Sequence, residues 1–288
     1  MSCNATNSNA TNSSCKEEIH QGVCYASVFL VGFLLNAAAL RAFIAKWDSW
    51  KDTHIYMFNL AIADFALILF LPFRVYDAFF CLPKNYFCTF LIFIHFINMY
   101  ASIMTTTVIS VQRYLSVRFP LKVRLWRKKK QKAVAVCLVI WVILVTLCAI
   151  FHRENSPQNL WTCFERCKDK RLTVFSMVLL VFVGYVTPLL IIVFCSTRII
   201  CILLKLQDKS EKIKNVVGMV TANMVVFIMC YTPIHIAFVV NYFYEPPQDW
   251  KTRYLYSHNF LIWSEWFAST NCCLDSISYY FLLKQFYS

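Results

Sequence analysis

The stretch Ala133-Val-Ala-Val-Cys-Leu-Val-Ile-Trp-Val-Ile-Leu-Val-Thr-Leu-Cys-Ala-Ile-Phe151 carries no charged side chain, and Thr146 is its one hydroxyl. Its length matches the roughly 20 apolar residues that cross a bilayer as a helix. It is apolar all round rather than along one stripe, the pattern of a helix surrounded by lipid and other helices. Similar stretches run approximately Val23–Ala45, Ile55–Phe80, Phe90–Val117, Val174–Leu204, Val216–Tyr244 and Tyr254–Leu283, making seven in all. Pro72, Pro188 and Pro233 fall inside them. In a soluble helix these would be breaks, but a membrane bundle re-satisfies the freed backbone groups.

Composition agrees. The chain has 288 residues, 59% apolar and 15% charged, with a mean hydropathy of +0.54. A soluble domain carries about 45–50% apolar and about 25% charged residues. With seven spans and short loops, little remains for a soluble domain. The expected organisation is an extracellular tail (1–20), a seven-transmembrane all-α domain (21–283) and the start of a truncated eighth helix (284–288).

Only four glycines occur (Gly22, Gly32, Gly184, Gly218), and none are clustered. A phosphate-cradling loop needs clustered glycines, so nucleotide-binding folds are excluded. The net charge of +13 invites a nucleic-acid reading, but its placement argues otherwise. Arg118, Lys122, Arg124, Arg127, Lys128, Lys129, Lys130 and Lys132 lie between spans three and four, without an acid. Lys205, Lys209, Lys212 and Lys214 flank the loop between spans five and six. Short loops rich in Lys and Arg face the cytoplasm, so the N-terminus is outside. Against anionic lipid the basic run reads as a topology determinant.

The N-terminus points the same way. Asn4, Asn9 and Asn12 each begin a glycosylation sequon. Residues 1–20 lack the apolar core of a cleavable signal peptide, so the first span is expected to act as its own insertion signal. Among fourteen cysteines, Cys137, Cys148, Cys195, Cys201, Cys230, Cys272 and Cys273 lie in or near spans as small packing residues. Cys3, Cys15, Cys24, Cys81, Cys88, Cys163 and Cys167 are on the oxidising face, where disulfides persist. Their odd number leaves at least one unpaired or pairing between chains. Cys88 and Cys163 are the expected pair.

Polar groups inside spans are costly and therefore informative. Asn36 stands in span one, Asp64 in Asn59-Leu-Ala-Ile-Ala-Asp64, and Arg113 in Gln112-Arg113-Tyr114. Trp141 is in span four, Pro188 in span five and Cys230-Tyr-Thr-Pro233 in span six. Asn271-Cys-Cys-Leu-Asp275-Ser-Ile-Ser-Tyr279 is in span seven. In this order the set resembles the rhodopsin-like (class A) G-protein-coupled receptors from about residue 20 onward. Ser49-Trp50-Lys51 through Leu71-Pro72-Phe73 resembles the hydroxycarboxylic-acid receptor neighbourhood. Val193-Phe-Cys-Ser, Val220-Thr-Ala-Asn and Asn271-Cys-Cys-Leu-Asp with Tyr279-Tyr280 resemble the branch of receptor 35 and the lysophosphatidylinositol receptor more closely still.

The resemblance implies a non-enzymatic plasma-membrane receptor that activates heterotrimeric G proteins, with Gi/o or G12/13 expected from the branch. It places Asp64, Asn98, Ser102, Asn271 and Asp275 at an allosteric sodium site, and no cofactor is otherwise required. The donors suit a hard cation; the alternative is a hydrogen-bonded knot with one carboxyl protonated. Ile103, Pro188 and Phe227 match a packing triad that rearranges on activation, residues that otherwise read as core. Tyr231 replaces a usual tryptophan beneath the ligand, near Pro233, and Tyr279 matches a tyrosine that swings toward Arg113.

Several departures stand out. The usual Asp before Arg113 is Gln112, and the acid expected at the base of span six is Ile213. Ser276 replaces a proline and Ser196 a tyrosine. An arginine without ionic restraint favours the active conformer, so raised basal signalling is expected; a receptor that binds but barely couples is the opposite outcome.

Arg74, His152, Arg153, Arg166, Lys168, Lys170 and Arg171 lie toward the outer face with Tyr76, Phe96, Tyr100, Trp161, Phe238, Tyr242 and Trp263. Apolar pockets with a few convergent charges suit small amphiphiles, and a cationic rim suits an acidic one. A lysophospholipid or an aromatic or hydroxy carboxylic acid is the expected ligand, with Arg74, Tyr100, Arg153, Phe238, Tyr242 and Glu265 as contacts. Arg74 also reads as a snorkelling side chain, and the loop basics as solvated. Asn98-Met99-Tyr100 lacks the mid-span basic residue of some acid-sensing relatives. Glu265 suits either Arg74 or a ligand amine.

A retinal-type pump needs a lysine deep in span seven, and none lies between Lys251 and Lys284. Transporter repeats and a separate catalytic pair are not evident either. A non-signalling scavenger of the same fold is the competing reading, discriminated by nucleotide exchange on G proteins. Phe286 matches the start of a membrane-parallel helix, and with little tail after it arrestin recruitment is expected to be weak.

Overall fold

The computed structural model describes residues 19–45, 50, 52–121, 130–152, 154–160, 162–167, 172–205, 211–243 and 250–276. Seven long helices follow one another: α1 (Ile19–Ala45), α2 (Asp52–Phe80), α3 (Tyr86–Arg118), α4 (Lys130–Phe151), α5 (Val174–Lys205), α6 (Glu211–Phe243) and α7 (Trp250–Ser269). The first six are long and apolar enough to cross a membrane. The sequence of α7 is less apolar, with Lys251, Arg253, His258 and Glu265. After a turn at Thr270 it continues as helix over 271–276.

Local chemistry fixes the outer ends. Cys81 adopts a left-handed φ of 53° just after α2, and the Asp77 carboxylate accepts from the Leu82 N–H at 2.8 Å. The chain thereby turns toward Asn85, whose side chain caps α3 by accepting from the Phe87 and Cys88 N–H groups. Inside α5, Leu179–Val186 is π-helical. The segment ends two residues before Pro188, which can neither donate nor pack against a straight preceding turn. Thr187 answers the widened turn by donating its hydroxyl to the Phe182 carbonyl at 3.0 Å.

α3 packs against α2, α4 and α5 and reaches α7, so its two ends and its middle face different compartments of the bundle. Packing between helices is apolar. Ile103, Tyr100, Tyr185, Phe227, Tyr231 and Ile234 share one buried cluster between α3, α5 and α6. Leu138, Val139, Val142 and Val145 of α4 are exposed outward, as lipid-facing side chains must be. Polar ties are few and specific. Trp141 donates to Asn59 Oδ1 at 2.7 Å, and Asn36 donates to the Gly32 and Cys272 carbonyls at 3.1 and 3.0 Å.

The helices extend the expected spans mainly at their N-terminal ends. α3 starts at Tyr86 rather than Phe90 because Asn85 supplies the cap, and α1 starts at Ile19, inside the expected 1–20 tail. The Cys88–Cys163 disulfide is formed, with Cα atoms 5.1 Å apart. Cys81 and Cys167 are disulfide-bonded too, and Cys24 is the outer cysteine that remains free among the described residues. The sequons at Asn4, Asn9 and Asn12, Cys3, Cys15, the basic run 127–129, Arg153, Trp161, Tyr279 and Phe286 lie outside the described residues.

Candidate functional site

Functional side chains occupy three levels along the bundle axis. At the outer level, Arg74 follows Pro72 by two residues on α2 and forms a 2.5 Å ion pair with Glu265 on α7. The side chains are only 13% and 19% exposed, so Arg74 is paired inside the protein rather than snorkelling. Its guanidinium carbon lies 5.0 Å from the Tyr25 ring centre and 4.1 Å from that of Phe164. These cation–π contacts gain strength from the low local water content.

Phe164 is delivered by a clamped loop. Cys163 is tied to Cys88 on α3, Leu160 and Arg166 form an isolated β-bridge, and the Cys167 N–H donates to the Asn159 carbonyl at 2.8 Å. Arg166 is not one of the solvated loop basics: its guanidinium donates to the Glu154 carbonyl. Burial holds its pKa below the ordinary arginine value, with Glu154 partly offsetting this.

Beneath Phe164 lies a cavity of about 20 Å3, bounded by Tyr25, Arg74, Leu91, His95 and other apolar side chains. His95 Nε2 is buried there without a hydrogen-bond partner. The mid-span stretch Asn98-Met99-Tyr100 has no basic group, but His95 stands about one turn outward. On an apolar helix a lone histidine reads as core, and only the fold brings it to the Arg74 cavity.

A second aromatic group lies at the span 3–5–6 contact. Phe96 stacks at 6.3 Å on Tyr100 and at 6.1 Å on Phe238. Tyr100 donates to the Leu180 carbonyl at 3.3 Å, within the π-helical segment. His235 stacks on Tyr185 at 4.2 Å. His235 is 2% exposed. Of the expected contacts, Arg74 and Glu265 are joined directly, Tyr100 and Phe238 meet through Phe96, and Tyr242 packs on Phe243.

At the middle level the five residues of the expected ion site fall into two hydrogen-bonded groups. Asn98 donates to Asp64 at 3.0 Å. Ser102 donates to Asp275 at 3.0 Å, and the Asn271 amide contacts Ser102 Oγ at 2.9 Å and Asp275 at 2.6 Å. Asp64, Asn98, Ser102 and Asn271 are buried. Carboxylate, amide and hydroxyl oxygens fit a hard cation, so the residues present suit sodium chemically. A cavity of about 40 Å3 adjoins Asn271, Asp275 and Tyr231, with Thr106, Ser110 and Asn223 among its walls.

Ile103 and Phe227 of the triad are 0% and 2% exposed and share the central cluster, and Pro188 is buried on α5. Tyr231 packs edge-on against Phe227 at 5.3 Å. Ser276, where a proline was expected, donates its hydroxyl to the Cys272 carbonyl at 3.2 Å, and the chain bends instead at Thr270.

At the inner level Thr53 of α2 donates to Gln112 Oε1 of α3 at 3.4 Å. Arg113 Nη2 is buried with no hydrogen-bond partner. Tyr114 packs edge-on against Phe194 of α5 at 5.8 Å.

The sequence matches the family model for the 7 transmembrane receptor (rhodopsin family) over residues 35–279. The chain belongs to that family. The receptor is 34% identical over 269 residues to G-protein coupled receptor 35 of Mus musculus, covering 92% of this chain and 85% of that protein. It is 30% identical over 274 residues to G-protein coupled receptor 55 of Homo sapiens, covering 92% and 86%. Lysophosphatidic acid receptor 6 of Gallus gallus is 29% identical over 283 residues, covering 90% and 89%. The receptor is thus a multi-pass plasma-membrane protein of the G-protein-coupled receptor class, and it is not an enzyme.

Proposed function

We propose that the receptor binds a small amphiphile through an acidic group and activates Gi/o or G12/13 proteins, with raised activity before ligand arrives. The observation that carries this is the buried Arg74, one face of the His95 cavity, set among aromatic side chains. A desolvated guanidinium is the group best suited to a carboxylate or phosphate. The aromatic group around Phe96, Tyr100 and Phe238 suits the apolar part of such a ligand. A relative named for lysophosphatidic acid supports the lysophospholipid class; aromatic and hydroxy carboxylic acids share the same chemistry. Arg153 and Tyr242 are further contacts in this reading.

Gln112, Arg113, Tyr114, Tyr231, Pro233 and Tyr279 form the coupling set. Ile103, Pro188 and Phe227 repack as the receptor switches. An Arg113 with no acidic neighbour at Gln112 loses one inactive-state restraint, which moves the two-state balance toward coupling. Asp64, Asn98, Ser102, Asn271 and Asp275 would hold a sodium ion that favours one conformer. Asn4, Asn9 and Asn12 would carry glycans on the outer side, ahead of the receptor domain that opens with α1 at Ile19.

A scavenger of the same fold that binds without coupling is the second reading, favoured by Gln112 and by Ser276, which stands where a proline is expected. A panel of G proteins assayed first without ligand, then with lysophospholipids and aromatic acids, separates the two. Exchange on at least one G protein supports the receptor; ligand binding with no exchange on any supports the scavenger.

A further inference from the structure

Arg74 and Glu265 bring one positive and one negative group to the same buried place, 2.5 Å apart. Phe164 and Tyr25 cover the guanidinium, and His95, whose buried Nε2 has no hydrogen-bond partner, lines the adjoining space. The formal charges of the pair cancel. That cancellation restricts the ligand more than the presence of an arginine does.

A neutral head group gains little from either charge. A lone anion that takes Arg74 leaves the Glu265 carboxylate buried without its partner, and breaking a buried pair in that way is strongly unfavourable. A head with an acid and an ammonium replaces one ion pair by two. Its acid meets Arg74, its ammonium meets Glu265, and no charge is left alone.

We propose that the ligand is zwitterionic, carrying a carboxylate or phosphate and a protonated amine a few atoms apart, with Glu265 as the amine anchor. This rests on the reading of Arg74 as the acid anchor and adds a selectivity to it. His95 is placed to contact the acid or a neighbouring hydroxyl. The head chemistry occurs in an ethanolamine lysophospholipid and in a free aromatic amino acid, and the test separates these sources.

Nucleotide exchange is measured with the full-length receptor and G protein in vesicles. The lipid arm compares lysophosphatidylethanolamine, lysophosphatidic acid and monoacylglycerol of one acyl chain. The second arm compares phenylalanine with 3-phenylpropanoate. In whichever arm responds, the zwitterion is expected to be about tenfold more potent than the matched anion. Glu265→Gln removes the amine anchor and the buried negative charge, so it reverses the order. The double variant Arg74→Glu, Glu265→Arg keeps both charges in exchanged places and retains the zwitterion preference; it decides the matter if Glu265→Gln fails to reach the surface. An anion as potent as the zwitterion on the unaltered receptor, or an order unmoved by Glu265→Gln, overturns the inference and leaves Arg74 as acid anchor. Silence in both arms with ligand-free exchange intact overturns the acid-anchor reading and this inference with it.

Discussion

Thr53 of α2 donates a hydrogen bond to Gln112 of α3 at 3.4 Å, so the residue beside Arg113 is held by a neutral contact between helices. An aspartate there would keep an acceptor for Thr53 and add a charge next to a guanidinium whose Nη2 has no partner. Gln112→Asp is therefore expected to lower ligand-free nucleotide exchange about fivefold, the low end of coupling between two conformers. Thr53→Ala should move it far less. Exchange in Gln112→Asp equal to that of the unaltered receptor would remove the restraint argument.

The polar knot gives a second expectation. Asp275 accepts from both Ser102 and Asn271, and Asp64 accepts from Asn98. Replacing external potassium by sodium should reduce ligand-free exchange if the cation favours the inactive conformer, and Asp275→Asn or Asp64→Asn should abolish that salt effect. A sodium response that persists in both variants would place the ion elsewhere.

Packing around the π-helical segment sets a third. A Cβ built at Gly184 would sit 2.5 Å from Tyr100 Cε1, and Tyr100 is a buried ring fixed by its bond to Leu180. Gly184→Ala is expected to cost about 1–3 kcal/mol through overpacking, seen as a lower thermal midpoint of the purified receptor. Tyr100→Leu in the same chain should recover part of the loss. An unchanged midpoint for Gly184→Ala alone would mean that α5 shifts freely there.

The loop that seats Phe164 supplies a fourth. The Cys88–Cys163 bridge spans 75 residues of sequence, and such a crosslink stabilises by about 2–4 kcal/mol. Cys88→Ser or Cys163→Ser should reduce surface expression and weaken ligand response together. Full expression with unaltered potency in either variant would separate the loop from the site.

These expectations draw unequally on what the chain reveals unaided. Spans such as Ala133–Phe151 are legible because lipid contact demands apolar side chains all round. The start of α3 is not legible in this way, because the cap at Asn85 extends the helix beyond its apolar run. The last span is harder, since Lys251 and Arg253 dilute its hydropathy and its bend falls at Thr270, where no proline marks it. Ion-site residues are legible only through the resemblance, and the fold joins Asp64 to Asn98 and Asp275 to Ser102 and Asn271. The partnership of Arg74 and Glu265 was one of two readings, because residues 191 apart in sequence meet only through helix packing. His95 reaches the Arg74 cavity through the same packing, and nothing local distinguishes it from a core histidine.

Signalling itself is tested most directly by nucleotide exchange on purified Gi/o and G12/13 proteins, with the receptor in vesicles and no ligand added. Exchange above that of receptor-free vesicles is expected on at least one of these, lost in Arg113→Ala and reduced in Gln112→Asp. Exchange no faster than in receptor-free vesicles on every G protein, with or without lysophospholipids, aromatic acids and amino acids, would contradict this expectation.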